Sequence, residues 1–285
     1  MLALPLVFFV IFRYVPMRNI IIAFKEYNMF KPIGELKWAG FSWFQKAFAT
    51  KDFWDAVRNT LLLNMLDLIV GFPSPILLAI LLNELAYKRF KRLTQTVVYL
   101  PHFLSWIIIR GLALQLFAPN TGLVNMSLNN MGYESINFLN DSRLWVPTYI
   151  MLGLWQSVGW NTIIYLAAIT GISLELYEAA EVDGASRIRK IWHVTLPGLR
   201  PTIIVLLIMS LGRILGSEFD RPYSMRNTLV TNVADVISTY VYRVGIRSNQ
   251  FSLAAAVGLF QSVICVFFLV TANSFAKRFG ERGIW

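Results

Sequence analysis

The residues of this chain best placed to do chemistry form a charged island between two long apolar segments. It reads Glu178-Ala179-Ala180-Glu181-Val182-Asp183-Gly184-Ala185-Ser186, then Arg187-Ile188-Arg189-Lys190-Ile191-Trp192-His193-Val194-Thr195-Leu196-Pro197. Ser173 stands where a helix cap belongs, Glu175 falls in the first turn, and Gly184 supplies a left-handed residue to end the helix. A second short helix then runs from Ser186 to Pro197, whose missing N–H and fixed φ suit the first turn of the next helix. The island therefore reads as helix, tight turn, helix, outside any bilayer. Small residues at Ala179, Ala180, Gly184 and Ala185 leave backbone within reach of a partner surface, and Glu178, Glu181 and Asp183 offer charges to pair with it. That is docking chemistry; the alternative is an ordinary solvated hairpin.

A second set of polar residues lies inside apolar runs. A central Arg in a membrane helix costs about 2.5–3.5 kcal/mol on insertion scales, so Arg110 and Arg213 are expected to face protein or water. Trp106 sits one turn from Arg110, and an aromatic face beside a guanidinium suits sugars and carboxylates. Trp155 with Gly159 and Gln156 with Trp160 repeat the helical spacing, and Asn161 adds a polar edge. These residues are pathway candidates, the alternative being an interfacial aromatic belt and interhelical hydrogen bonds. Asn64 and Asp67 could instead relay a coupling ion, which would suit a secondary transporter or channel with no ATPase.

Other chemistries find little support. Cys265 is the only cysteine, and neither His102 nor His193 stands in H-E-x-x-H context, so no disulfide or Cys-based metal site is available. A membrane-embedded hydrolase lacks a nucleophile with its base. No G-x-x-x-x-G-K-[ST] occurs, so the chain carries no phosphate-cradling loop of its own.

The elements that must position these residues are membrane helices. Hydrophobic residues make up 56% of the chain and charged ones 15%, against about 45–50% and about 25% in soluble domains. Several segments exceed the ~18 apolar residues expected of a spanning helix. The net charge of +10 gathers in short loops such as Lys88-Arg89 and Lys91-Arg92, which marks cytoplasmic loops rather than nucleic-acid binding. Spans are expected over residues 2–24, 59–82, 95–117, 147–170, 198–216 and 251–275, with a loop at 171–197. The whole is an all-α polytopic membrane protein, one transmembrane domain over 1–285. Gly71-Phe72-Pro73-Ser74-Pro75 should break or kink the second span, and Gly212 and Gly216 permit close helix approach in the fifth. Lys277, Arg278 and Arg282 form a basic cuff after the sixth.

The pattern E-A-A-x3-G-x9-V-x-L-P, read from Glu178 to Pro197, resembles the signature of permease subunits of bacterial type I ABC importers. Phe12-Arg13-Tyr14-Val15-Pro16, Tyr99-Leu100-Pro101-His102-Phe103-Leu104-Ser105-Trp106 and Ala234-Asp235-Val236-Ile237-Ser238-Thr239-Tyr240 resemble the oligosaccharide and polysaccharide branch. Ser238 replaces an acidic residue of that branch, so no role is carried to it. The resemblance implies that Glu178, Ala179, Ala180, Glu181, Asp183, Gly184, Leu196 and Pro197 form the coupling segment that docks on a cytoplasmic ATPase. It implies a second homologous permease subunit, two ATPase subunits that bind ATP and Mg, and an external substrate-binding protein, in the bacterial inner membrane. This chain would bind no cofactor itself. Its cargo would be an oligo- or polysaccharide, with Arg110 and Arg213 favouring an acidic one such as alginate.

Overall fold

A computed structural model describes residues 3–216, 218–278 and 283–284; Leu2 and Arg282 of the expected first span and basic cuff lie outside them. Among the described residues the chain is helical, with one isolated antiparallel bridge between Lys25 and Trp38. Four helices are long and apolar enough to cross a membrane: Leu4–Phe24, Lys51–Asn83, Arg187–Leu211 and Phe251–Arg278. Among the described residues two bent pairs raise the number to as many as six if each is one span, Lys88–Phe103 with Trp106–Phe117 and Ser142–Thr170 with Leu174–Val182.

The second span does not break at its prolines. Lys51–Asn83 is continuous and carries a π turn at Asp67–Gly71, just ahead of Pro73 and Pro75. A proline withdraws one N–H from the ladder and its ring crowds the preceding turn; a wide turn there relieves both without ending the helix. Ser74 Oγ donates back to the Val70 carbonyl at 2.5 Å.

The third span, in contrast, is not the straight segment 95–117 that hydropathy predicts. Its two pieces meet at 105°. Pro101 opens a 3-10 turn over Leu100–Phe103, Leu104 and Ser105 are extended, and Ser105 Oγ accepts from the Ile108 N–H at 3.4 Å to start a new helix. Trp106–Phe117 has 12 residues, about 18 Å of helix against a bilayer core of about 30 Å. It cannot cross alone.

The fourth helix begins at Ser142, ahead of the boundary expected at Pro147, because Asp141 caps it: Oδ1 accepts from the Arg143 N–H at 2.7 Å. The expected short helix after Ser186 and the fifth span are a single helix, Arg187–Leu211, joined through a π turn at Ile191–Thr195. That helix stops at Leu211, so Arg213 lies in the turn that follows and Gly216 lies outside any helix. Gly212 still serves a close approach, since a Cβ there would press on Leu269 of the sixth span.

Three apolar clusters hold these helices together. Trp106, Ile109, Trp145, Tyr149 and Met225 gather around the bend of the third span. Phe53, Ile214, Leu215, Ile237 and Leu253 join the second and sixth spans, and Ile76, Tyr165, Ile169 and Leu199 join the second, fourth and fifth. Leu77, Leu81, Val266 and Phe267 point outward, which water would not tolerate on this scale but lipid or a neighbouring subunit would.

The segment after the fifth span folds over the second. Asp235 is buried; it accepts from Thr239 Oγ1 at 2.6 Å and pairs with Arg243 at 2.7 Å and Arg226 at 3.5 Å. Asn59 Nδ2 donates to the carbonyls of Asn232 (2.9 Å) and Asp235 (3.0 Å). A buried carboxylate needs such partners; those of Asp235 lie within residues 226–243, and Asn59 ties that segment to the second span.

Candidate functional site

The space between the clusters is a cavity of about 770 Å³ lined by the second, fourth and fifth spans, the start of Trp106–Phe117 and Arg221. Its centre is an ion pair that joins residues 154 apart in sequence. Arg221, in the short helix Asp220–Met225, donates from Nη1 to Asp67 Oδ2 at 2.5 Å and from Nη2 to Asp67 Oδ1 at 3.2 Å. Nη2 also donates to the Tyr149 carbonyl at 2.8 Å. The guanidinium lies 3.9 Å from the Tyr149 ring centroid and 5.3 Å from that of Trp106. Bidentate pairing fixes its plane, and the two ring faces stabilise its charge where little water reaches. Gly153 belongs to the same construction, because a Cβ there would occupy the place of the guanidinium.

The Arg221 side chain is 10% exposed and that of Asp67 32%. Asp67 therefore presents an open edge to the cavity while Arg221 holds it from behind. Asp67 is the first residue of the Asp67–Gly71 π turn, and a wide turn shifts the side chains beyond it, Phe72 and Pro75 of the same cavity wall, around the helix axis. Asn64, one turn earlier, donates to the Ile214 carbonyl at 2.7 Å. Both residues considered for an ion relay thus have fixed protein partners.

Of the pathway candidates, Trp106, Gln156, Asn161 and Arg213 line the cavity. Arg110, Trp155 and Trp160 are not among its lining residues. Arg110 is exposed, and the guanidinium that Trp106 meets is that of Arg221, not the one a turn away on its own helix. Trp160 stacks on His102 with centroids 4.5 Å apart and planes 6° from parallel. Gln156 Nε2 donates to the His102 carbonyl at 3.3 Å, so the two brace the bend. Gly159 lets that packing close, because a Cβ there would strike the Val98 backbone.

Arg221, Tyr149 and Glu218 line the cavity without having been singled out from sequence. The available signal was weak: a cation just beyond an apolar run, and a glycine at 153 on a helix otherwise crowded with large residues.

The charged segment after the fourth span is built as its sequence implies at its turn, and differently at its start. Leu174–Val182 leaves the fourth helix at 70°. Ser173 occupies the cap position without a side-chain cap bond, whereas Ser186 caps the next helix by accepting from the Arg189 N–H at 3.4 Å. Gly184 has φ +72, and the Ala185 N–H donates to the Ala180 carbonyl at 2.8 Å, the six-to-one bond of a left-handed helix terminus. A Cβ on Gly184 would meet nothing within 4 Å. Glu178, Ala179, Glu181, Asp183 and Gly184 are exposed and Ala180 is half-buried. Leu174, Leu176, Val182, Ile188 and Trp192 add large exposed apolar side chains to the same hairpin. Leu196 instead packs against the cluster of Ile76 and Leu199, while Pro197 is exposed in the first turn after the π turn.

A family profile described as "binding-protein-dependent transport system inner membrane component" matches residues 71–281. LplB of Bacillus subtilis is 42% identical over 98% of this chain and 88% of its own length. The polygalacturonan/rhamnogalacturonan transport system permease protein YteP of the same organism is 43% identical over 98% and 87%. A solved chain of a bacterial alginate ABC transporter, in complex with an alginate pentasaccharide-bound periplasmic protein, superposes with a TM-score of 0.91. It is 39% identical over 100% of this chain and 95% of that one. The chain belongs to the binding-protein-dependent transport system inner membrane components and is a multi-pass transport permease subunit.

Proposed function

We propose that the chain forms one half of the membrane channel of an ATP-driven importer of acidic oligo- or polysaccharide in the bacterial inner membrane. Its partners would be a second homologous permease, two ATPase subunits that hold ATP and Mg, and an external substrate-binding protein. The observation that carries the reading is the hairpin at Leu174–Lys190, which projects acidic, apolar and small residues together with no covering surface of its own. Exposed Val182 beside Glu178, Glu181 and Asp183 matches the mixed centre and rim of a protein interface. With no phosphate-binding loop in the chain, the energy would arrive mechanically through this contact.

The cavity supports the saccharide part. Aromatic faces, amides at Gln156 and Asn161, the open edge of Asp67 and the cation of Arg213 suit a hydroxylated ligand with carboxylates. The polygalacturonan and alginate systems named above handle acidic chains, which favours the same class here. Reconstitution in vesicles with trapped ATP tests the reading. Uptake of a uronate oligosaccharide and binding-protein-stimulated ATP hydrolysis are expected. Uptake driven by an ion gradient without ATP would overturn it.

A further inference from the structure

Resting on the reading that the Leu174–Lys190 hairpin docks an ATPase, we infer that this hairpin is geared to the fifth span rather than the fourth, with Tyr177 and Thr195 as the positioning residues.

The hairpin joins the fourth helix through the Gly171–Ser173 turn, at 70°, where the Gly171 and Ile172 N–H groups donate to the carbonyls of Ala168 and Ile169. The helical hydrogen-bond ladder does not run through that turn, as it does from Arg187 to Leu211. The second arm of the hairpin, Arg187–Lys190, is the first turn of the fifth helix itself, and side chains hold the first arm against that helix. Tyr177 Oη and Thr195 Oγ1 are 3.0 Å apart, and Thr195 is buried. Lys190 Nζ donates to Glu181 Oε2 at 3.0 Å. Ile172 presses on Gly198, where a Cβ would run into its side chain. The exposed ion pair contributes little; the hydroxyl pair and the Ile172 contact are sheltered and set the geometry.

Thr195 is the last residue of the Ile191–Thr195 π turn. A π turn holds a helix in a wide, less regular ladder, and such turns are frequent at functional positions. The same helix then lines the cavity with Leu206, Met209 and Ser210. Fourteen residues separate Thr195 from Met209 in the sequence, about 21 Å of helix. A push at Tyr177 is therefore delivered along one continuous helix to the cavity wall.

The test uses the whole complex in vesicles, with Cys265→Ala as background and one reporter cysteine at a time: Ser210→Cys on the fifth span, Ser157→Cys on the fourth. Maleimide labelling rates are compared without nucleotide and after trapping with ATP and vanadate. Tyr177→Phe and Thr195→Val each remove one hydroxyl. Each is expected to cut the nucleotide-dependent change at Ser210→Cys by about twofold to tenfold, the value of one sheltered hydrogen bond. The two together should do no more than either alone, and the change at Ser157→Cys should remain. If the parent complex retains its ATPase subunits and Ser210→Cys responds undiminished in both variants, or Ser157→Cys falls in parallel, the gearing is wrong and the importer reading stands. If nucleotide moves neither reporter in the parent and ATPase subunits do not co-purify, both fall.

Discussion

Asp67→Asn should damage the protein more than its conservative shape implies. Asn keeps the size of the side chain and one oxygen that can accept from Arg221, but removes the negative charge. The Arg221 side chain, 10% exposed, would be left with the Tyr149 carbonyl and two ring faces as remaining partners. Removing one member of a buried pair costs about 3–5 kcal/mol, because the other charge stays behind uncompensated. A third of Asp67 reaches the cavity, and water there softens the loss, so the lower end, about 3 kcal/mol, is expected. That is roughly two powers of ten in an equilibrium constant and a large fraction of the 5–15 kcal/mol that holds a typical domain folded, as an order of magnitude. Asp67→Asn combined with Arg221→Met removes both charges and leaves a straight side chain between the rings, so it should regain more than half of the loss. Denaturant unfolding of the detergent-solubilised complex, followed by tryptophan fluorescence, measures both variants. A single variant within about 1 kcal/mol of the parent, or a double variant worse than the single, would refute the account of the ion pair.

Gly159→Ala should separate the fourth helix from Val98 and lower the unfolding midpoint, whereas Gly258→Ala, which meets nothing within 4 Å, should be neutral or slightly stabilising. Thermal unfolding of the two side by side checks this, and equal midpoints would sink it. At Gly184, φ +72 predicts that Asn is tolerated while Val costs about 1–2 kcal/mol of turn geometry. Co-purification of the ATPase should weaken for Gly184→Val only. Arg213→Gln should lower uptake of a uronate oligosaccharide several-fold, and Arg110→Gln should leave it unchanged, because only the first lines the cavity. Initial uptake rates at fixed ATP distinguish them.

Much of the architecture is legible in the sequence because bilayers constrain composition so strongly: a chain 56% hydrophobic with clustered basic loops has few options besides a bundle of spanning helices. The helix, turn and helix at Leu174–Lys190 are legible too. Their small and acidic residues and their left-handed Gly184 are local features, set by backbone sterics within a few residues. Where local rules compete, reading by hydropathy loses resolution. Pro73 and Pro75 are absorbed in a π turn, whereas Pro101 opens a 105° bend completed by the Ser105 cap, and an apolar run looks the same in both cases. The cavity was least accessible of all. Trp106 and Arg110 share a helix face at a favourable spacing, yet Trp106 meets Arg221, which comes from another part of the chain and is held by Asp67. Sequence alone therefore determined a helical membrane subunit with an acidic helical hairpin, since periodicity, charge placement and turn chemistry act over short distances. Tertiary structure decided which charges meet inside it, since the charge of a buried arginine is balanced by a carboxylate brought from 154 residues away.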